Sequence, residues 1–168
     1  MASYCSETQN FAEYIYSKRK LEMPRPNNHN SLTPKQKFEK FKQAYSKLNE
    51  YIKNEEYMAA HVIAFSILED RVLANRITCE ELINVIIDEK IDKNKIKFQK
   101  SVDKLLAIKV IDINLHKQIS DCGKERNDFI HQAMWRLDEF NYASILKIRK
   151  TIDALEKCKR DYVKMHKK

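Results

Sequence analysis

The sequence predicts an all-α protein, an antiparallel up-and-down bundle of four main helices with a short helical insertion and an N-terminal helical arm. Its 168 residues include one glycine and three prolines, so turn formers are scarce while good helix formers are abundant. In several segments, apolar side chains recur at intervals of three and four residues, the spacing of one helix face. A chain of this length can bury a core of its own, and we expect one domain with an arm.

The arm and its linker are predicted to cover residues 1–32. Within them, residues 3–21 have the pattern of a helix, and the proline-containing segment 23–30 interrupts regular structure. The helical bundle is predicted to cover residues 33–168. The first twenty residues are therefore expected to pack as an arm on this domain or on a partner.

The first two bundle helices are predicted at about 34–53 and about 55–76. A capping box of Thr33 and Gln36 begins the first helix. We expect its apolar stripe to pack in the core: Phe38, Phe41, Tyr45, Leu48 and Ile52. The second helix is apolar on nearly every side between Ala59 and Leu68, which is typical of the central element of a bundle.

The insertion is predicted at residues 78–108. Thr78-Cys79-Glu80-Glu81 matches a second capping box, which would begin a short helix ending at Ile87. A further helix carries apolar residues at Val102, Leu105 and Leu106.

Two more main helices complete the predicted bundle. Asp112 is expected to cap one of them, and Asp138 is expected to cap the last, at about 139–165. The last helix is expected to turn one set of side chains inward: Phe140, Ile145, Ile148, Ile152, Leu155 and Tyr162.

The composition narrows the possible functions. A formal charge of +8 favours an anionic partner such as nucleic acid, although a lysine-rich solvated surface gives the same charge. A single glycine excludes the usual glycine-rich nucleotide loops. The four cysteines are too widely spaced for a zinc site, and we expect no metal or cofactor. Because no apolar run is long enough for a signal peptide or a membrane span, we expect a cytoplasmic protein.

Arg126 interrupts the apolar stripe of the helix that follows Asp112. The stripe consists of Leu115, Ile119, Cys122, Phe129 and Ala133. A buried guanidinium needs acidic or hydrogen-bonding partners, and Glu69 or Asp70 could supply them. Neither acid has a basic residue three or four positions later in its own helix. Their counter-charges would come from another helix, from Arg71 or from water, unless they point to solvent.

Asn127 and His131 lie one helical turn apart, on a different face from Arg126. Together the three residues suit metal-independent phosphodiester chemistry: a histidine exchanges protons near neutral pH, an arginine holds phosphate, and an asparagine orients either. One histidine per chain favours a site assembled from two chains. The structural alternative is that an arginine–acid pair fixes helix register and that His131 caps carbonyls.

Two other residues near this motif have alternative interpretations. Gly123 lies one turn before Asn127, where the missing side chain would let a partner backbone or an RNA phosphate approach. Equally, it could mark a kink at residues 122–124. His61, in the apolar helix, is expected to be a core histidine with its hydrogen bonds satisfied.

The segment Glu125-Arg126-Asn127-Asp128-Phe129-Ile130-His131 resembles the R-x(4–6)-H motif of HEPN domains. The polar residue after the arginine and the late position in an all-α bundle are similar as well. The resemblance implies a dimer and a metal-independent endoribonuclease, of the kind found in toxin–antitoxin, abortive-infection and CRISPR systems. It implies that His131 is the acid–base residue, that Arg126 holds phosphate or orders the site, and that Asn127 supports both.

On the same resemblance, Glu69 or Asp70 would pair with Arg126, and RNA would be cut where the motifs of two chains meet. The alternative is a non-catalytic helical module that dimerises or docks an antitoxin, a nucleotidyltransferase or RNA. A third possibility is a basic protein that binds nucleic acid without cutting it. The segments 1–21 and 78–108 depart from the family pattern.

Overall fold

The computed structural model describes residues 33–83, 98–132 and 140–166, in which five helices account for nearly every residue. The helices are α1 (Pro34–Lys53), α2 (Tyr57–Leu82), α3 (Phe98–Ala107), α4 (Ile113–Gln132) and α5 (Tyr142–His166). These ranges contain no strand, which confirms the all-α class. The up-and-down order of the helices stays a prediction, and the arm at 1–32 lies outside the described residues.

The chain divides into two compact units, Met1–Lys40 and Phe41–Lys168. In the first unit, the predicted capping box at the start of α1 is confirmed. The backbone N–H of Gln36 donates to Thr33 Oγ1 at 3.3 Å, and that of Thr33 donates to Gln36 Oε1 at 2.8 Å. Phe38 is 65% exposed, so its predicted place in the core is wrong.

The second unit has its core around α2, which packs against α3, α4 and α5. The predicted central position of this helix is therefore confirmed. Its apolar side chains meet a buried stripe from each neighbouring helix. The largest fully buried apolar side chains are Leu48, Leu68, Leu105, Ile119, Ile145, Ile148, Ile152 and Leu155.

Helix α2 runs six residues past its predicted end at 76, to Leu82, so the predicted second capping box is wrong. Instead of capping a new helix, Thr78 Oγ1 donates to the carbonyl of Ala74 at 2.9 Å, four residues earlier. No proline or glycine interrupts this stretch, and Cys79 and Glu80 continue the buried face. The capping-box pattern therefore occurs here within one continuous helix.

The turns after α1 and α3 use left-handed residues that are not glycine. Glu55 has φ 59° and Lys109 has φ 60°. After α3, the N–H of Val110 donates to the carbonyl of Leu105 and that of Lys109 to Leu106, both at 2.9 Å. This is the Schellman pattern, which normally uses glycine because a side chain is disfavoured there.

Helix α5 begins three residues later than predicted. Asn141 caps it, because the N–H of Ser144 donates to Asn141 Oδ1 at 3.1 Å. Asp138, the predicted cap, lies outside the described residues. All six side chains predicted to turn inward are buried: Phe140, Ile145, Ile148, Ile152, Leu155 and Tyr162.

Candidate functional site

Helix α4 carries the motif, and its start and its buried face agree with the sequence. The N–H of Leu115 donates to Asp112 Oδ1 at 2.8 Å, which confirms the predicted cap. Four residues of the predicted stripe are buried: Leu115, Ile119, Cys122 and Phe129. The fifth, Ala133, lies outside the described residues. The helix therefore holds the motif in a fixed register against the core.

Arg126 lies half-buried beside an aromatic ring. Its guanidinium carbon is 5.2 Å from the centroid of the Phe65 ring, and its Nη1 donates to Asn127 Oδ1 at 3.2 Å. A planar guanidinium stacks readily on an aromatic face, which explains how the arginine is tolerated near the apolar stripe. Among the described residues, Asn127 is the side chain that accepts a hydrogen bond from this guanidinium.

The expected ion pair between Arg126 and an acid of α2 is not formed within the described residues. Glu69 and Asp70 are both exposed. Asp70 Oδ2 accepts a hydrogen bond from Arg71 Nε at 3.1 Å, which is one of the three sources of counter-charge that the sequence allowed. Both acids lie on the solvent side of α2, whereas the ring that Arg126 meets belongs to buried Phe65.

Asn127 and His131 are exposed on α4, as the sequence predicted. His131 lies in the last turn of the helix. Asn127 connects Arg126 with the face that carries His131. It accepts the hydrogen bond from Arg126 and lies one turn before His131. The three residues thus lie on a single helix, with Asn127 and His131 on its exposed side and Arg126 half-buried beside them.

Gly123 has a neighbour within the chain. A Cβ built on Gly123 would lie 2.9 Å from Cε1 of Phe98, a distance too short for a real contact. The space beside this glycine is therefore filled by a side chain of α3, which corrects the expected approach of RNA or a partner backbone. Helix α4 continues through residues 122–124 without the alternative break.

His61 is the residue near the motif whose importance the sequence did not indicate. It is buried, and its ring makes edge contacts with Phe129 and Phe140, with centroids 4.8 Å and 5.6 Å apart. Its Nε2 is buried and has no hydrogen-bond partner among the described residues, so the expectation of a satisfied core histidine is wrong for this atom. Burial lowers the pKa of His61, and the nearby Glu125 carboxylate partly opposes that shift.

An ion pair beside the motif joins α4 to α5. Lys147 Nζ donates to Glu125 Oε1, and this hydrogen bond raises the pKa of Lys147. A shallow, open depression lies next to the pair, lined by Gln118, Ala143, Leu146, Lys147, Lys150 and Thr151. Neither Arg126 nor His131 lines it, so it does not enlarge the candidate site.

Two kinds of feature are absent from the described ranges, a metal-binding group and a membrane-spanning helix. In residues 33–83, 98–132 and 140–166, no three His, Cys, Asp or Glu side chains are grouped to hold a metal ion. None of the helices in those ranges combines the length and the apolar character needed to cross a membrane.

Comparison of the chain with protein-family models, with curated proteins and with solved structures found no match in any of the three. The resemblance of the α4 motif to HEPN domains therefore stays a prediction. What the protein does has to be argued from the contacts of Arg126, Asn127 and His131.

Proposed function

We propose that the chain is a HEPN-like, homodimeric, metal-independent endoribonuclease that uses Arg126, Asn127 and His131 from two copies. The observation that carries the proposal is the surroundings of Arg126. Its guanidinium stacks on Phe65 and is bonded to Asn127, and no acid among the described residues neutralises it. Its remaining donors match a phosphate, which a guanidinium binds through two parallel hydrogen bonds.

The proposed reaction uses the nucleophile that RNA already carries. The 2′-oxygen attacks the adjacent phosphorus and the bond from phosphorus to O5′ breaks, giving a 2′,3′-cyclic phosphate and a 5′-hydroxyl. One imidazole accepts the proton of the 2′-OH and a second, protonated imidazole donates a proton to O5′. Arg126 stabilises the charge that develops on the phosphoryl oxygens.

Two imidazoles require two chains. His61 is buried, and His116 is bonded through Nε2 to Asp103 at 2.8 Å near the other end of α4. His166, at the end of α5, is bonded through Nδ1 to the carbonyl of Tyr162 at 2.9 Å, and His29 lies outside the described residues. His131 is thus the exposed histidine that a single copy contributes to the motif surface. A second copy would supply the second imidazole, and the charge of +8 favours the RNA backbone as ligand. By its resemblance, such a nuclease would be a toxin or an abortive-infection effector held in check by an antitoxin or nucleotidyltransferase partner.

The direct test is cleavage of tRNA and of a labelled mRNA fragment by the purified full chain in EDTA. His131→Ala should lower the rate by about 10²–10⁴-fold, the usual contribution of an acid–base group. His116→Ala, on the same helix, is the matched control and should cleave at the wild-type rate. Cleavage that survives His131→Ala unchanged contradicts the assignment. Salt-sensitive binding that leaves RNA intact would instead support the non-catalytic alternative.

The same assay tests the two-chain site. When His131→Ala protein is mixed with wild type and allowed to exchange, each mixed dimer has one imidazole. If both imidazoles are required, activity falls with the square of the wild-type fraction. A linear fall would mean that each copy acts alone.

A further inference from the structure

Three aromatic and arginine contacts connect three helices beneath the motif. The Arg126 guanidinium of α4 lies 5.2 Å from the ring centroid of Phe65 in α2. The Phe65 ring lies 5.3 Å from the ring of Phe98 in α3, with 52° between the ring planes. Phe98 in turn lies against Gly123, where an added Cβ would come within 2.9 Å of its ring. The contacts thus start and end on α4.

From this connection we propose that Phe65 is a positioning residue for Arg126, and that Phe98, seated against Gly123, holds the Phe65 ring in place. The proposal rests on the proposed function, in which Arg126 binds the scissile phosphate. The proposal gives α3, the second helix of the predicted insertion, a role in ordering the site through its first residue, Phe98. Gly123 then serves the site indirectly, by leaving room for the Phe98 ring.

An aromatic ring and an acid orient a guanidinium in different ways, and the difference favours the ring at an anion-binding site. Among the described residues no carboxylate pairs with Arg126, so its side chain is oriented by one neutral hydrogen bond and by the aromatic face. An acid would also orient it, but would compete with phosphate for the same donors. An aromatic ring orients the guanidinium through its face and leaves the N–H edge open. An arginine oriented by a ring rather than by an acid therefore keeps its donors for an anionic ligand.

The first arm of the test needs no RNA. The δ-methylene protons of Arg126, assigned by NMR, should be shifted upfield by the Phe65 ring current. Phe65→Leu keeps an apolar side chain of similar size and should move these signals toward their free-arginine position. Tyr162→Leu, which removes another buried aromatic residue in α5, is the matched control and should leave them in place. Signals unmoved by Phe65→Leu would overturn the proposal.

The second arm measures RNA affinity in the His131→Ala background, so that no cleavage occurs. Phe65→Leu should weaken binding by roughly 2- to 30-fold, the range expected for a cation–π contact. In an Arg126→Ala background the same change should have no effect, because Phe65 acts through Arg126. Equal losses in both backgrounds would mean that Phe65 only supports the fold, and would overturn the proposal.

The third arm tests the contact with Gly123. Gly123→Ala should displace the Phe98 ring and shift the Arg126 signals, and Phe98→Leu alone should shift them as well, because either change removes the support of the Phe65 ring. Arg126 signals unmoved by Phe98→Leu would overturn the role of Phe98. If wild type neither binds nor cleaves RNA, the proposed function fails, while the NMR arms still decide whether Phe65 positions Arg126.

Discussion

Helix α2 buries a histidine near its start, His61, and an acid near its end, Glu80, and the two side chains have different surroundings. Each is at most 2% exposed. Glu80 keeps charged partners: its Oε2 lies 3.3 Å from Arg76 Nε, and its Oε1 lies 3.8 Å from Lys104 Nζ of α3. His61 lies against the rings of Phe129 and Phe140, and no group in the described part of the chain pairs with its Nε2.

The difference shows two solutions to the same physical problem. Removing an ionisable group from water is unfavourable unless it is paired or becomes neutral. Glu80 is paired, and Arg76 Nη1 also lies 3.5 Å from Ser101 Oγ, which extends the network to α3. His61 is kept neutral, since burial lowers its pKa. The paired end of α2 is not fully satisfied either, because Asn75 Oδ1 is also buried and finds no partner within the described ranges.

The location of the unpaired histidine is informative. His61 contacts Phe129, a residue of the motif, whereas Glu80 lies toward the opposite end of α2. We therefore expect the motif half of α2 to respond to pH and the other half to respond to loss of charge partners.

The largest effect should come from removing the partner of Glu80. Arg76→Met leaves the buried carboxylate with only the more distant Lys104, and should lower the free energy of unfolding by about 3 kcal/mol. Urea unfolding followed by circular dichroism measures it. Arg76→Met combined with Glu80→Leu should recover most of the loss, because no unpaired charge remains. A loss below about 1 kcal/mol for the single variant would show that the buried pair contributes little.

A smaller, pH-dependent effect should come from His61. Its folded pKa is lowered, so below the ordinary histidine value of about 6.5 the unfolded chain binds a proton that the folded chain does not. Stability is therefore full above that value and falls as pH drops toward the folded pKa, by at most about 1.4 kcal/mol per pH unit. Urea unfolding of wild type and of His61→Leu between pH 5.5 and 8 measures it.

In that comparison, His61→Leu should show a flatter dependence than wild type. The difference between the two curves isolates His61 from the other titrating groups. Parallel curves would mean that the imidazole of His61 takes up its proton equally in the folded and unfolded states. Burial would then not lower its pKa.

The smallest effect should come from Asp70, an acid of the same helix that is exposed rather than buried. Asp70→Asn removes its ion pair with Arg71 but leaves the Arg71 guanidinium 4.2 Å above the Phe41 ring. The loss in the free energy of unfolding should be under about 1 kcal/mol, as for exposed pairs. Urea unfolding in low and high salt measures it. If Asp70→Asn lowered the free energy of unfolding as much as Arg76→Met does, burial could not explain why the Glu80 pair matters more than the Asp70 pair.

Much of the fold could be read from local pattern. The apolar stripes of α4 and α5, the central position of α2, and the caps at Thr33 and Asp112 all followed from spacing and residue type. The end of α2 could not, because a threonine followed three residues later by an acid occurs inside helices as well as at their starts.

The candidate site was less predictable. Its polar residues were found because Arg126 interrupts an apolar stripe, but its expected partners, Glu69 and Asp70, lie only one turn beyond the residue that Arg126 meets, Phe65. Glu69 is only about 40° around the helix axis from Phe65, so a small rotation of α2 decides whether the ring or that carboxylate faces α4, whereas Asp70 is about 140° away. Sequence spacing cannot resolve that rotation when both residues are on neighbouring strips of one helix.

By itself, the sequence determined that the protein is helical, which side chains form most of its core, and that Arg126, Asn127 and His131 share one helix. These properties depend on neighbours within a few residues, where helical periodicity governs position. The tertiary structure alone decided that Phe65 meets Arg126, that Phe98 fills the space at Gly123, and that His61 Nε2 has no partner. Those contacts join residues far apart in the chain, so they depend on how whole helices rotate and pack against one another.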